Sequence, residues 1–380
     1  MNAPVLSDKL VRDATAAWAA PELAVIVPTF NEAGNIDLLY SSLSAALAGL
    51  NWELIVVDDN SPDGTADVVK TLSLRYPNIR GIRRVGRRGL SSACIEGISA
   101  TAAPFVAVMD ADHQHDERIL PQMLERAKTG ADLVVGSRFA GNGSAGEGLS
   151  STRLRGSQFA TKLSALVTGE QISDPMSGFF LLRRDLFDQV SPKLSTDGFK
   201  ILLDLIVTAN RSGEKLRIAE VPYTFRPRAN GESKMSALVV LQFLGLVFSK
   251  LTGGLLPASF LLFGLVGALG VVVHMTTLWF TGSRLGFGFV PAQITATIIA
   301  MTFNFILNNE LTYANKKLRG WRYLTGLLTF YAVCSIGALA NVSVASWIYT
   351  FDHQFYVAGL AGVLMSVVFN YSVTKVFTWR

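Results

Sequence analysis

Four long stretches near the end of this chain contain no Asp, Glu, Lys or Arg: residues 257–280, 285–309, 323–351 and 354–374. Each reaches the roughly 20 residues that a helix needs to cross a bilayer. In hydrocarbon a continuous apolar run must satisfy its backbone internally, which makes each stretch a helix. The expected transmembrane helices cover about 257–280, 287–309, 323–350 and 354–376. Charge sets their orientation. The loop after the second stretch carries Lys316, Lys317, Arg319 and Arg322, and the tail carries Lys375 and Arg380. The loop after the third holds only Asp352 and His353, and the first loop a single Arg284. The positive-inside rule places the basic loop and the tail in the cytoplasm. Four crossings return both ends to one side, so the part of the chain ahead of them is expected there too, on the inner or plasma membrane. The net charge of +5 is explained by these membrane-proximal cations, and no nucleic-acid partner is required.

Before the membrane region the chain reads differently. Residues 1–20 include Asp8, Lys9, Arg12 and Asp13 and lack a long apolar core, which suits a flexible tail rather than a signal peptide. Residues 21–234 alternate strand-like and helix-like runs. Strands are expected at 23–30, from Trp52 to the acidic turn at Asp58, at 78–84, at 104–112 and at 131–139. Helices are expected between them, the first with Asn31 as N-cap. Such alternation gives a mostly parallel, Rossmann-like α/β sheet with helices on both faces. The Gly/Ser-rich stretch 140–151 reads as a loop, and a helix is expected from about 153 to 169. Residues 235–256 read as a helix lying in the membrane interface ahead of Gly253-Gly254. Cys94 and Cys334 fall in different regions and form no expected disulfide. No internal repeat is evident.

The chemistry gathers where strands end. An apolar run stops at Asp110-Ala111-Asp112, followed by His113, Gln114 and His115. In open α/β sheets ligands bind at the carboxyl ends of strands. Two carboxylates and an amide form a hard, oxygen-rich set suited to Mg²⁺ or Mn²⁺ shared with a diphosphate. Asp58 and Asp59 end a second strand at the same edge. The turn after the first strand, VPTFNEAGN, lacks GxGxxG, and no Walker A lysine motif occurs, so no phosphate-cradling loop is expected. His113 and His115 read as structural rather than as ligands, and Glu96 and Asp204 as helix-packing or local hydrogen-bonding residues.

VPTFNE, VVDDNSPDGT, RRGLSSACIEG, VMDADHQH, GSRF, DPMSGFF, DGFKILLDL and RANGESKM occur in that order. Over about residues 23–235 the chain resembles the dolichol-phosphate (polyprenyl-phosphate) mannose synthases, inverting family-2 glycosyltransferases of the GT-A fold. From about 260 to 379 it resembles the GtrA-type four-helix membrane domain. The resemblance implies GDP-mannose as donor, a polyprenyl or dolichyl phosphate as acceptor, and Mg²⁺ or Mn²⁺. By position, Pro28, Phe30 and Glu32 would line the base and ribose pocket with Val57 and Asp59. Phe30 stands where the family often has Tyr. Asp110, Ala111 and Asp112 would face the ribose and diphosphate, with Asp110, Asp112 and Gln114 as the metal set. Arg138 and Arg153 would hold the lipid phosphate, and Arg228 and Lys234 would clamp the diphosphate or the acceptor. Asp112, Arg138, Arg228 and Lys234 are the expected catalytic set. Gln158 occupies a place where the family usually has Arg, with Arg155 as the candidate substitute. Two rivals stand beside this reading: a UDP-glucose:undecaprenyl-phosphate glucosyltransferase, and a lipid-linked-sugar flippase residing in the C-terminal helices. A homo-oligomer formed through those helices is a further expectation.

Overall fold

Leu23–Thr29 is apolar except at its last residue and is buried along its whole length. It forms β1 of a seven-stranded sheet with β2 (Trp52–Asp58), β3 (Ile79–Arg83), β4 (Phe105–Val108), β5 (Leu133–Ser137), β6 (Phe180–Arg183) and β7 (Ile218–Pro222). The order is β3-β2-β1-β4-β6-β5-β7. Helices α1 (Ile36–Ala46), α2 (Thr65–Ser73), α3 (Leu90–Ser99), α4 (Leu120–Lys128), α5 (Arg184–Val190) and α6 (Ile201–Arg211) accompany it. Side chains alternate across the strand plane. Leu23, Val25 and Val27 enter one core with Leu39, Val69 and Met123. Ala24 and Ile26 enter the other with Ala93, Ile98 and Leu205. Burial on both faces is why these strands read as continuous apolar runs. The computed structural model describes residues 20–141, 143–144, 172–195, 201–211, 216–227, 245, 258–351 and 355–379. The expected tail at 1–20, the helix at 153–169 and the interfacial helix at 235–256 lie essentially outside the described residues, as does most of the loop 140–151.

The sheet is mostly parallel, as expected, with one antiparallel strand the sequence reading did not place, and one helix start differs from that reading. Strand β6 runs antiparallel between β4 and β5, while every other pairing is parallel. Helix α1 starts at Ile36 with Asn35 at its cap, not at Asn31. Asn31 instead takes φ +60° and gives its N–H to Ser61 Oγ at 2.9 Å.

The chain divides into two units, Met1–Lys234 and Met235–Arg380. The second holds α7 (Ala258–Ser283), α8 (Phe289–Leu307), α9 (Trp321–Phe351) and α10 (Phe355–Phe377). Among the described residues, Ser259–Ser283, Val290–Thr312 and Trp321–Ala340 are long and apolar enough to cross a membrane, and Leu364–Phe377 is a shorter apolar helix. An internal repeat, not evident from the sequence, emerges here. Phe303-Asn304-Phe305 leads to Thr312-Tyr313, and Phe369-Asn370-Tyr371 leads to Thr378-Trp379 in the same register. Both segments end in the same wide turn: Tyr313 N–H donates to Asn308 O at 2.8 Å, and Trp379 N–H to Thr374 O at 3.1 Å. The two final rings stack on each other at 4.2 Å. Phe305 packs on Phe330 of α9, and Tyr371 packs on Phe263 of α7, each at 5.7 Å. A Cβ at Gly270 would overlap the Asn304 side chain, and one at Gly337 would overlap Asn370. The α7–α8 and α9–α10 hairpins thus share one close-packing device, a small residue admitting a polar side chain from the neighbouring helix.

Candidate active site

The strand order puts the switch point between β1 and β4, where loops leaving the carboxyl ends diverge and leave a crevice. Three non-glycine residues of the described chain have positive φ: Asn31, Asn60 and His113. They follow β1, β2 and β4 respectively, so all three of these left-handed turns lie at that edge. Backbone strain of this kind persists only where the surroundings impose it. The surroundings are visible. Ser61 Oγ, Thr65 Oγ1 and Asp63 Oδ2 accept the N–H groups of Asn31, Glu32 and Ala33 at 2.9, 3.1 and 3.0 Å. The polar residues of DDNSPDGT therefore fasten the β2 loop to the β1 loop. His113 reaches across from the β4 loop to Asn35 O at 3.2 Å.

The acidic end of β2 turns inward. Asp58 accepts from Thr29 and from Ser61. Asp59 accepts from Arg84 and from Gly89 N at 2.7 Å. Burial holds the Asp59 carboxyl above its ordinary pKa, and the Gly89 and Arg84 contacts offset this only in part. Arg84 is 1% exposed and also reaches Glu96, Gly89 O and Ser92. The sequence reading missed Arg84. Four arginines lie close together at 83–88, and spacing alone does not say which one goes inside. Glu96 does serve local packing, pairing with Arg84 and Arg87.

A second pair of carboxylates at this edge belongs to the β4 loop. The Asp110 side chain is 45% exposed, while Asp112 is buried and its Oδ1 accepts the Gln114 N–H at 3.2 Å. The loop is braced from three directions. His115 lies beneath it, stacked on Phe179 at 5.1 Å and edge-on to Tyr223, and its Nδ1 accepts the Asp110 N–H at 3.1 Å. From DPMSGFF, Gly178 closes on Asp110: a Cβ there would sit 3.2 Å from Oδ2. From the far side, Arg226 bonds Asp116 and Glu117, its backbone N–H donates to Gln114 O, and its C=O accepts from Gln114 Nε2.

Burial pushes the His115 imidazole down to about 4, against the opposite pull of Asp112. The ring is therefore neutral and structural. Its folded value lies below the ~6.5 of an unfolded histidine. Its stabilising contribution is then complete above pH about 6.5 and is lost as pH falls from there toward 4. A loss of roughly 3 kcal/mol across that window is expected. Thermal unfolding measured between pH 7.5 and 4.5 checks it. His115→Gln keeps an acceptor without a titrating ring and should flatten that acid limb; an unchanged limb would assign it to another group.

Arg138 follows β5 and meets Asp174 in a two-pronged pair, Nε–Oδ2 2.7 Å and Nη2–Oδ1 2.8 Å, with Asp174 1% exposed. Burial opposes the Arg138 charge, and Asp174 more than offsets it, so the guanidinium is held above its ordinary value. Its Nη1 makes no hydrogen bond among the described residues. Of the other expected site residues, Pro28 and Val57 lie in register on β1 and β2, with Phe30 and Glu32 in the loop beyond β1. Arg153, Arg228 and Lys234 lie outside the described residues, as do Arg155 and Gln158.

A divalent cation is the group this chemistry invites. Among the described residues no three of His, Cys, Asp and Glu converge. A cation at the β4 loop would therefore draw on Asp110, Asp112, the Gln114 amide and oxygens brought by a diphosphate. Few protein ligands plus substrate phosphates is the usual way Mg²⁺ is held. The donor set fits.

Residues 24–191 match the family described as glycosyl transferase family 2, and residues 262–379 match the GtrA/DPMS transmembrane domain. The dolichol-phosphate mannosyltransferase of Pyrococcus furiosus is 33% identical over 369 residues, spanning 94% of this chain and 99% of that protein. The Saccharomyces cerevisiae protein of the same name is 36% identical over 228 residues, spanning 59% of this chain and 84% of its own. Among solved structures, glucosyl-3-phosphoglycerate synthase from Mycobacterium tuberculosis aligns with a TM-score of 0.48 at 21% identity, over 66% of this chain and 84% of that one.

Proposed function

The chain belongs to the dolichol-phosphate mannosyltransferase family, and we propose that it moves mannose from GDP-mannose to a membrane polyprenyl phosphate with inversion at the anomeric carbon. The observation that carries this reading is the Asp110–Asp116 loop, braced from three directions at the switch point of the sheet. Such a loop presents carboxylates in a fixed place rather than an acidic surface patch.

The acceptor explains what the protein need not supply. A phosphate monoester has a second pKa near ~6 and is largely dianionic at neutral pH. It is already a nucleophile, so no general base is required. The chain's task is to hold it in line behind the anomeric carbon and to balance charge on both sides. Arg138, with Nη1 directed away from its Asp174 pair, suits the acceptor phosphate, and Arg153, Arg228 and Lys234 are proposed to join it. Asp110, Asp112 and Gln114 are proposed to hold Mg²⁺ or Mn²⁺. Bound there, the ion would stabilise negative charge on the departing nucleoside diphosphate. Pro28, Phe30, Glu32, Val57, Asp59 and Ala111 are proposed to line the nucleoside side of the crevice. The helices keep the chain in the bilayer where such an acceptor resides. We place the first unit and the C-terminus on the cytoplasmic side, with four crossings, because the basic loop 314–322 and the tail carry the cationic excess.

The test is transfer of labelled sugar from GDP-mannose and from UDP-glucose to a polyprenyl phosphate, with and without Mg²⁺ or Mn²⁺. Metal-dependent transfer from GDP-mannose alone supports the reading. Transfer from UDP-glucose alone would move the protein to a glucosyl-transfer role on the same scaffold.

A further inference from the structure

Arg83, Arg84, Arg87 and Arg88 follow one another around the end of β3. Three are anchored. Arg83 Nε donates to Asn60 Oδ1 at 2.7 Å, Arg84 is buried on Asp59 and Glu96, and Arg87 Nη2 donates to Glu96 at 2.9 Å. Arg88 differs. It is exposed and makes no hydrogen bond or ion pair among the described residues. Its guanidinium instead lies on the face of Phe30, with Cζ 4.5 Å from the ring centroid. Phe30 leaves β1 and Arg88 leads into α3, so the contact crosses over the end of β2, where Asp59 is fixed. An exposed planar cation on this half-buried ring is worth little to stability, about 0.5–1 kcal/mol.

We propose that Arg88 reads the base of the donor and sets the preference for guanine over uracil. This rests on the reading of the crevice as a nucleoside diphosphate-sugar site. An aromatic face at the ligand edge is a platform for a base. A base on Phe30 and a guanidinium cannot share that face. At 4.5 Å there is also no room for a base between them, because two stacked layers need about 7 Å at van der Waals separation. Arg88 therefore leaves the ring when the base stacks. Its long stem, held at the foot by the anchored neighbours Arg84 and Arg87, carries the fork to the base perimeter. Guanine presents O6 and N7 as adjacent acceptors on one edge, which a guanidinium meets with two hydrogen bonds. Uracil has no such pair, since each of its carbonyl oxygens is flanked by N–H or C–H.

The experiment is calorimetric binding of GDP and of UDP, with Mg²⁺, to the full-length protein in detergent, for wild type, Arg88→Ala and Arg88→Lys. Expected is a GDP preference in wild type that falls by roughly 10- to 100-fold in Arg88→Ala, through weaker GDP binding with UDP binding nearly unchanged. Arg88→Lys keeps the charge without the planar fork and should recover only part of that preference. Equal losses for GDP and UDP, repaired by Arg88→Lys, would make Arg88 a phosphate contact and overturn the proposal. Unchanged binding of both would make it a surface residue and overturn it as well. Mannosyl transfer measured on the same preparation separates the two readings. Transfer from GDP-mannose without any GDP preference overturns the role of Arg88 alone. Absence of transfer overturns the function on which it rests.

Discussion

Asp112→Asn is expected to lower kcat/KM for mannosyl transfer by roughly 10³-fold or more, the several kcal/mol that charge stabilisation at a leaving group supplies. Asparagine is the informative replacement because of what it keeps. Asp112 is buried, and its Oδ1 accepts the N–H of Gln114, which holds the loop in the turn that His113 enters with φ +62°. The amide oxygen of Asn can take the same hydrogen bond at nearly the same volume. Loop shape and thermal stability should therefore stay close to wild type while the negative charge disappears. Asp112→Ala removes both and confounds them. Single-turnover transfer beside a thermal melt distinguishes the two contributions. An Asn variant with near wild-type transfer would show that the carboxylate is there to shape the loop, and the proposed metal set would fail with it.

That Asp112 could be named from sequence at all reflects a simple cue. An apolar strand that ends abruptly in Asp-x-Asp puts carboxylates at the ligand edge, whatever the neighbouring strands do. At Asp58 and Asp59 the same cue marks the ligand edge without revealing the partners of the side chains. Residue type marks a strand end as acidic, but which way its side chains turn depends on partners distant in sequence, such as Arg84 and Gly89. The direction of β6 was illegible for a related reason. Phe180–Arg183 is buried but for its last residue, and a short apolar strand reads alike beside parallel or antiparallel neighbours. The hairpin repeat escaped notice because its matching positions are few, and lipid-facing positions between them tolerate any apolar residue. The matching wide turns, the paired glycine–asparagine approaches and the stack of Tyr313 on Trp379 make the shared register plain. The α1 cap illustrates the limits of local signals. Both Asn31 and Asn35 suit an N-cap, and the choice fell to Ser61 and Thr65, which hold the residues ahead of Asn35 in a loop.

Asp174→Ala is expected to destabilise the first unit by about 3–5 kcal/mol and to abolish most transfer. Asp174 is 1% exposed and supplies both oxygens to Arg138, itself mostly buried between Phe139 and Phe225. Removing the acid leaves a mostly buried guanidinium without its partner. The cost comes from the orphaned charge more than from the bond, and a compensating change exposes this. In Arg138→Met/Asp174→Leu neither charge remains, so much of the thermal stability should return. Activity should not return with it, because the proposed acceptor contact requires the Arg138 cation. Thermal melts of the single and double variants give the coupling, and transfer kinetics on the double variant give the function. Recovery of both would reduce the pair to a structural clamp between β5 and the DPMSGFF loop. Recovery of stability alone would assign Asp174 the role of aiming Arg138, with its charge intact and its Nη1 directed away from the pair, at the phosphate that the reaction must hold.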